Sequence, residues 1–73
     1  MNQTSLGDRV YTHDGKLLGT ISEFRDGAFK LDAPLAVDFW LRITDVQKVE
    51  RGSVLMTFTE AQLANHRIEA GAL

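Results

Sequence analysis

The residues able to do chemistry are few and poorly spaced for it. His13 and His66 are the two histidines, and no H-x-x-H or H-E-x-x-H motif and no cysteine accompanies them. Neither has a second ligand at the spacing a metal site requires. His13 stands beside an Asp-Gly pair and His66 on the polar side of an expected helix, so both read as solvated surface histidines. Asp32, Asp38 and Asp45 flank Pro34 and the segment after it. Paired carboxylates do acid–base work when burial drives their pKa values apart. Here Asp32 alternates outward and Asp38 falls in a loop. Asp14 and Asp26 each precede a glycine and are explained by turn chemistry. Gly52-Ser53 is no nucleophile elbow, and neither a phosphate-binding glycine pattern nor a calcium loop occurs. The expectation is a protein without catalytic residues, cofactor or metal.

Trp40 is the most informative side chain. Phe39, Leu41 and Ile43 alternate with Trp40, Arg42 and Thr44. A strand places successive side chains on opposite faces, so a core containing the first set puts Trp40 and Arg42 outside. Trp and Arg are enriched at binding hot spots. Tyr11, opposite in parity to an inward Val10, also faces out. Trp40, Arg42 and Tyr11 are therefore the candidate interface residues. Two readings of Trp40 stand: a docking residue, or a ring covered by a C-terminal helix through Ala64 and Ile68.

The elements that position these residues follow from the turns. Asp14-Gly15 and Asp26-Gly27 are hairpin signals, because a type I′ turn needs positive φ at both central residues. Arg51-Gly52 is a third turn, and Pro34 separates the second from the third. The intervening segments have strand length and period-two alternation, as in Phe29, Leu31, Ala33 and in Val54, Met56, Phe58. Gly19 inside the second segment marks a bend, a bulge or a close backbone approach. Val46 and Val49 are three apart, which implies a short or bulged strand. From Thr59 the pattern turns helical: Thr59 and Gln62 form a capping box, and Gly71 is the expected stop.

Five or six short strands in one small chain bury a face most readily by curling. The expected fold is all-β: a six-stranded antiparallel barrel of the SH3-like kind over about residues 8–58, with a short helix over about 59–70, the whole of 1–73 being one domain. The expected core is Val10, Leu17 or Leu18, Ile21, Phe29, Leu31, Phe39, Leu41, Ile43, Val46, Val49, Val54, Met56 and Phe58.

Composition sets limits. The chain has 73 residues, 44% of them hydrophobic and 25% charged, and a net charge of −2. That balance is globular and opposes tight binding to nucleic-acid phosphates, since the eight basic residues are scattered. No apolar run is long enough for a membrane helix, and residues 1–6 carry no signal-peptide pattern. The expected location is cytoplasmic.

The run Gly7-Asp8-Arg9-Val10-Tyr11-Thr12-His13-Asp14-Gly15-Lys16-Leu17-Leu18-Gly19-Thr20-Ile21 resembles the opening of the PRC-barrel superfamily. Phe39-Trp40-Leu41-Arg42-Ile43-Thr44-Asp45-Val46 is similar to its fourth-strand element, with Arg42 where that element often has proline. The resemblance covers roughly residues 6–60 and is nearest to the small stand-alone bacterial members. It implies a six-stranded barrel used as a non-enzymatic adaptor, docking onto a protein partner or its own copy as a homodimer. Two further functions remain open: an RNA- or ribosome-associated barrel, as in the family's ribosome maturation factor, and a small-ligand binder near Arg42 and Asp38.

Overall fold

The computed structural model describes residues 4–34 and 37–69. It is mostly β. Its strands are β1 Arg9–Tyr11, β2 Leu17–Arg25, β3 Ala28–Asp32, β4 Phe39–Arg42, β5 Val46–Glu50, β6 Ser53–Met56 and β7 Ile68–Glu69. They form one sheet in the order β5-β6-β1-β2-β3-β4-β7. Two features correct the expected barrel. The described strands number seven, and the sheet is not closed, with β5 and β7 at its margins. β1 also pairs with β6 in parallel, Arg9 opposite Ser53, where an all-antiparallel arrangement was expected. The cause lies between β4 and β5. A 3-10 turn over Ile43–Asp45 joins them without reversing the chain. β4 and β5 thus run the same way, and β6 returns alongside β1.

The turns differ in kind. Asp26 and Gly27 have φ of 48° and 78°, as a type I′ turn demands. Gly15 has φ of 87° while Asp14 stays out of the left-handed region, so Asp14-Gly15 is not the expected type I′ turn. There the Gly15 amide donates to the Thr12 carbonyl at 2.9 Å, and the Thr12 amide donates to that of Lys16 at 2.9 Å. Thr12 is fully buried, yet its hydroxyl is satisfied: it donates to Asp14 and accepts from the Lys16 amide at 3.0 Å. Asp14 Oδ1 also accepts from the Glu60 amide at 3.2 Å, tying this turn to the C-terminal segment.

Register irregularities let the strands serve both faces. β2 and β3 lose register between Ile21 and Glu23, so Ser22 is an extra residue. Ile21 and Phe24, three apart, can then both lean toward the inner face, and Phe24 meets the edge of the Phe29 ring at 6.5 Å. Gln47 does the same in β5, putting Val46 and Val49 together against the core, as their spacing implied.

The core unites Val10, Leu18, Ile21, Phe29, Leu31, Ala33, Phe39, Leu41, Val54, Met56 and Phe58. Leu18, not Leu17, is the inward one of that pair. Ile43 is corrected: alternation ends at Arg42, Ile43 opens the 3-10 turn, and its side chain is 42% exposed. The expected short C-terminal helix is present, but shorter than about 59–70. A 3-10 turn over Glu60–Gln62 leads into one helical turn, α1 Leu63–His66, and the chain then extends into β7 beside β4. Gln62 Oε1 accepts from the Thr59 amide at 2.9 Å, the return half of the capping box. Gly71 lies outside the described residues.

Gly19 is the tightest point. A Cβ there would stand 2.7 Å from the Asp32 carbonyl oxygen and 3.1 Å from the Ala33 Cα, at φ of 156°. Backbone atoms leave no soft way to yield. Gly19→Ala is expected to cost about 2–4 kcal/mol, read as a fall in the urea midpoint with unchanged slope.

Candidate functional site

Two outward faces carry the candidate residues. The first is built on β2, β3, β4 and β7. The type I′ turn sets Arg25 opposite Ala28 and Glu23 opposite Lys30. β3 pairs with β4 so that Lys30 meets Trp40 and Ala28 meets Arg42. β7 adds Ile68 beside Trp40. One row across the sheet therefore reads Glu23, Lys30, Trp40, Ile68, and the next reads Arg25, Ala28, Arg42.

Trp40 keeps its expected parity but not the exposure of a docking residue. It is absent from the inner cluster, yet only 2% exposed. Its cover is ionic. The Arg25 guanidinium carbon lies 5.2 Å from the ring centroid and Lys30 Nζ lies 5.9 Å from it, within cation–π range. Arg25 starts on β2 and reaches a ring on β4, so its stem passes over β3 at Ala28. Only a small side chain there permits the crossing, which accounts for the burial of Ala28 on the outer face. Glu23 clamps both cations, with Oε2 2.9 Å from Arg25 Nη2 and Oε1 3.3 Å from Lys30 Nζ. The hydrogen bond from Lys30, above all, holds the Glu23 carboxyl below its ordinary pKa. Of the two readings of Trp40, the covered one holds, and the C-terminal segment contributes to it through Ile68. Ile68 is its neighbour as a strand residue, and Ala64 is exposed.

Arg42 is exposed on the same face and donates from Nη1 to the His66 carbonyl at 3.3 Å. Tyr11 is elsewhere. β2 and β3 intervene between its strand and β4, so the three candidate interface residues do not form one patch. Tyr11 belongs to the second outward face, on β5, β6, β1 and β2. There Lys48 pairs with Leu55, Leu55 with Tyr11, and Tyr11 with Leu17. A groove of about 250 Å³ runs along this face, lined by Tyr11, Gly15, Lys48, Glu50, Ser53, Val54 and Leu55.

His66 is corrected from a solvated residue to a half-buried one. Its ring stacks on Phe58, centroids 4.5 Å apart and 13° from parallel, and its Nδ1 is 3.2 Å from Asp45 Oδ2. These contacts fasten α1 to the 3-10 turn after β4 and to the core residue Phe58. His13 is exposed, with Nδ1 2.8 Å from Gln47 Oε1. Asp32 is exposed and Asp38 half-buried. Among the described residues no three His, Cys, Asp or Glu side chains gather as a metal site, and no helix is long and apolar enough to cross a membrane.

Comparison with family models, with curated proteins and with solved structures finds no match to this chain. Sequence reasoning missed Glu23, Arg25 and Lys30. The signal was present: a two-residue type I′ turn at Asp26-Gly27 dictates the pairs that bring them over Trp40.

The Glu23 clamp has a pH signature. A lowered carboxyl pKa contributes stability that is present above the unfolded value, about 4.3, and is lost as pH falls through the folded value. Glu23→Gln is expected to lower the urea midpoint at pH 7. The gap between variant and wild type should close toward pH 3.

Proposed function

We propose that this chain is a non-enzymatic protein-interaction module of the PRC-barrel kind, and that it pairs with its own copy through the face carrying Tyr11. The observation that carries this reading is the apolar row Leu55, Tyr11, Leu17 laid across three adjacent strands on the outside of the sheet. Leu17 is 53% exposed there. An outward row of large apolar side chains in so small a protein is the mark of a surface that is covered in use.

Charge favours a second copy as the cover. Lys48 and Glu50 flank this row on one strand, both well exposed, with Nζ and Oε1 3.1 Å apart. A two-fold interface presents the same patch from each side. Such a patch satisfies itself when it carries both signs at neighbouring positions, because Lys48 of each copy can meet Glu50 of the other. The same balance gives an RNA backbone nothing to grip, and the groove is open rather than enclosing. The resemblance over residues 6–60 supports the same class of function. A cytoplasmic location accords with this reading.

Size-exclusion chromatography with light scattering at about 100 μM tests the pairing. Wild type is expected as a dimer and Tyr11→Ala as a monomer. Lys48→Glu and Glu50→Lys should each weaken the dimer, and an equimolar mixture of the two should restore it as a heterodimer. A wild-type monomer at that concentration, or a mixture no tighter than its components, would overturn the proposal.

A further inference from the structure

Asp is followed by Gly twice in this chain, at Asp14-Gly15 and at Asp26-Gly27. An aspartyl carboxyl is open to attack by the backbone nitrogen of the next residue, and glycine, with no Cβ, obstructs that approach least. Space is open around both glycines. What separates the two pairs is whether the reacting groups are already engaged.

At Asp14 both are. Its Oδ1 accepts from the Thr12 hydroxyl and from the Glu60 amide at 3.2 Å. These bonds, the one from Thr12 above all, hold the carboxyl below its ordinary pKa and keep it ionised, a form with no hydroxyl to lose. The Gly15 amide, the nucleophile of such an attack, donates to the Thr12 carbonyl at 2.9 Å. At Asp26 neither group is engaged. The pair is exposed at the tip of the β2–β3 hairpin, the kind of site that opens most readily. Among the described residues the Asp26 carboxyl has no hydrogen bond or ion pair, and the Gly27 amide has no backbone acceptor. The Gly27 carbonyl takes the Ile43 amide at 2.9 Å, but it lies outside any ring formed through the Gly27 nitrogen. Asp26 is also the one non-glycine residue at positive φ among those described, at 48°, a conformation unfavourable to L side chains.

We propose that Asp26-Gly27 is a self-modifying site that isomerises through a succinimide to isoaspartate, that Asp14-Gly15 is spared, and that the product opens the clamp over Trp40. The Gly27 nitrogen attacks Cγ of the protonated Asp26 carboxyl. A C–N bond forms, and the amide proton leaves with the carboxyl hydroxyl as water. A water then adds to the Asp26 main-chain carbonyl of the ring and breaks its bond to nitrogen. The chain now runs through Cγ, longer by a methylene, and the former main-chain carbonyl is a free carboxylate. The water lost in the first step is regained in the second, so the change is an isomerisation. The lengthened loop no longer fits a two-residue type I′ turn. The pairing of Arg25 with Ala28 and of Glu23 with Lys30 depends on that turn.

The test incubates the full chain for weeks in warm, mildly acidic buffer, either folded or in concentrated guanidinium chloride. Cleavage after glutamate then puts Asp14 in 1–23 and Asp26 in 24–50, and electron-transfer fragmentation locates isoaspartate in each. In the folded protein, isoaspartate at Asp26 is expected to exceed that at Asp14 about tenfold or more, from what hydrogen bonds to a carboxylate are worth. In denaturant the two sites should react at similar rates. Trp40 is the single tryptophan, and its emission should shift in step with the isoaspartate fraction. Asp26→Asn keeps the turn, since Asn-Gly suits type I′, and should reach the same succinimide faster, with loss of ammonia. Folded protein that forms no isoaspartate at Asp26, that forms it equally at both sites, or whose Trp40 emission ignores it would defeat the proposal.

Discussion

The face that carries Trp40 follows from the register of one hairpin. Asp26 and Gly27 both take positive φ, and a two-residue loop of this kind allows one pairing of the strands it joins. Arg25 must then face Ala28, and Glu23 must face Lys30. Because side chains alternate, a slip of one residue would send Phe29 and Leu31 into water and bring Lys30 into the core. The apolar inner face thus enforces the polar arrangement outside. The clamp over Trp40 is the outward consequence of burying Phe29, Leu31 and Leu41 inside.

A short chain needs its strands to bend if one sheet is to enclose that core, and the bends are localised. Ser22 and Gln47 are single extra residues in their strands, and β1 and β2 lose register where Leu18 turns inward. Each insertion resets the alternation, so two apolar residues three apart reach the same side. Gly19 works differently. It lets β2 press directly on the backbone at Asp32 and Ala33, where a methyl group has no room. Curvature here comes from missing bulk at one point and surplus backbone at three others.

Much of this was legible from residue types alone. Period-two alternation identified most of the core, the spacing of Val46 and Val49 implied the irregular fifth strand, and Gly19 marked a bend, a bulge or a close approach, of which the structure has the close approach with a register shift beside it. The failures share a cause. Ile43 continues the apolar alternation of β4, but the backbone has already left the strand, and parity has no meaning in a 3-10 turn. The same turn hid the parallel pairing of β1 with β6, since its residues give no sign that the chain does not reverse. The expected C-terminal helix is present but far shorter than about 59–70, because a capping box fixes where a helix begins and not how far it runs. For the surface, parity placed Trp40 outside correctly. It could not show that Arg25, two strands away, lies across the ring, because that contact depends on the smallness of Ala28 on the strand between.

The pairing of the first strand with the sixth bears on how the molecule is born. Arg9 meets Ser53 across 44 positions of chain, while β2 with β3 and β5 with β6 are joined by local reversals. On a ribosome β1 emerges before the rest of the sheet and finds one neighbour, β2. Its other edge must wait until residues 53–55 have been made. Loop-closure entropy delays such distant contacts, so the two hairpins form as separate pieces and β1 is the seam that joins them last. Until then its unpaired edge is the part of the nascent chain most in need of shielding from other polypeptides.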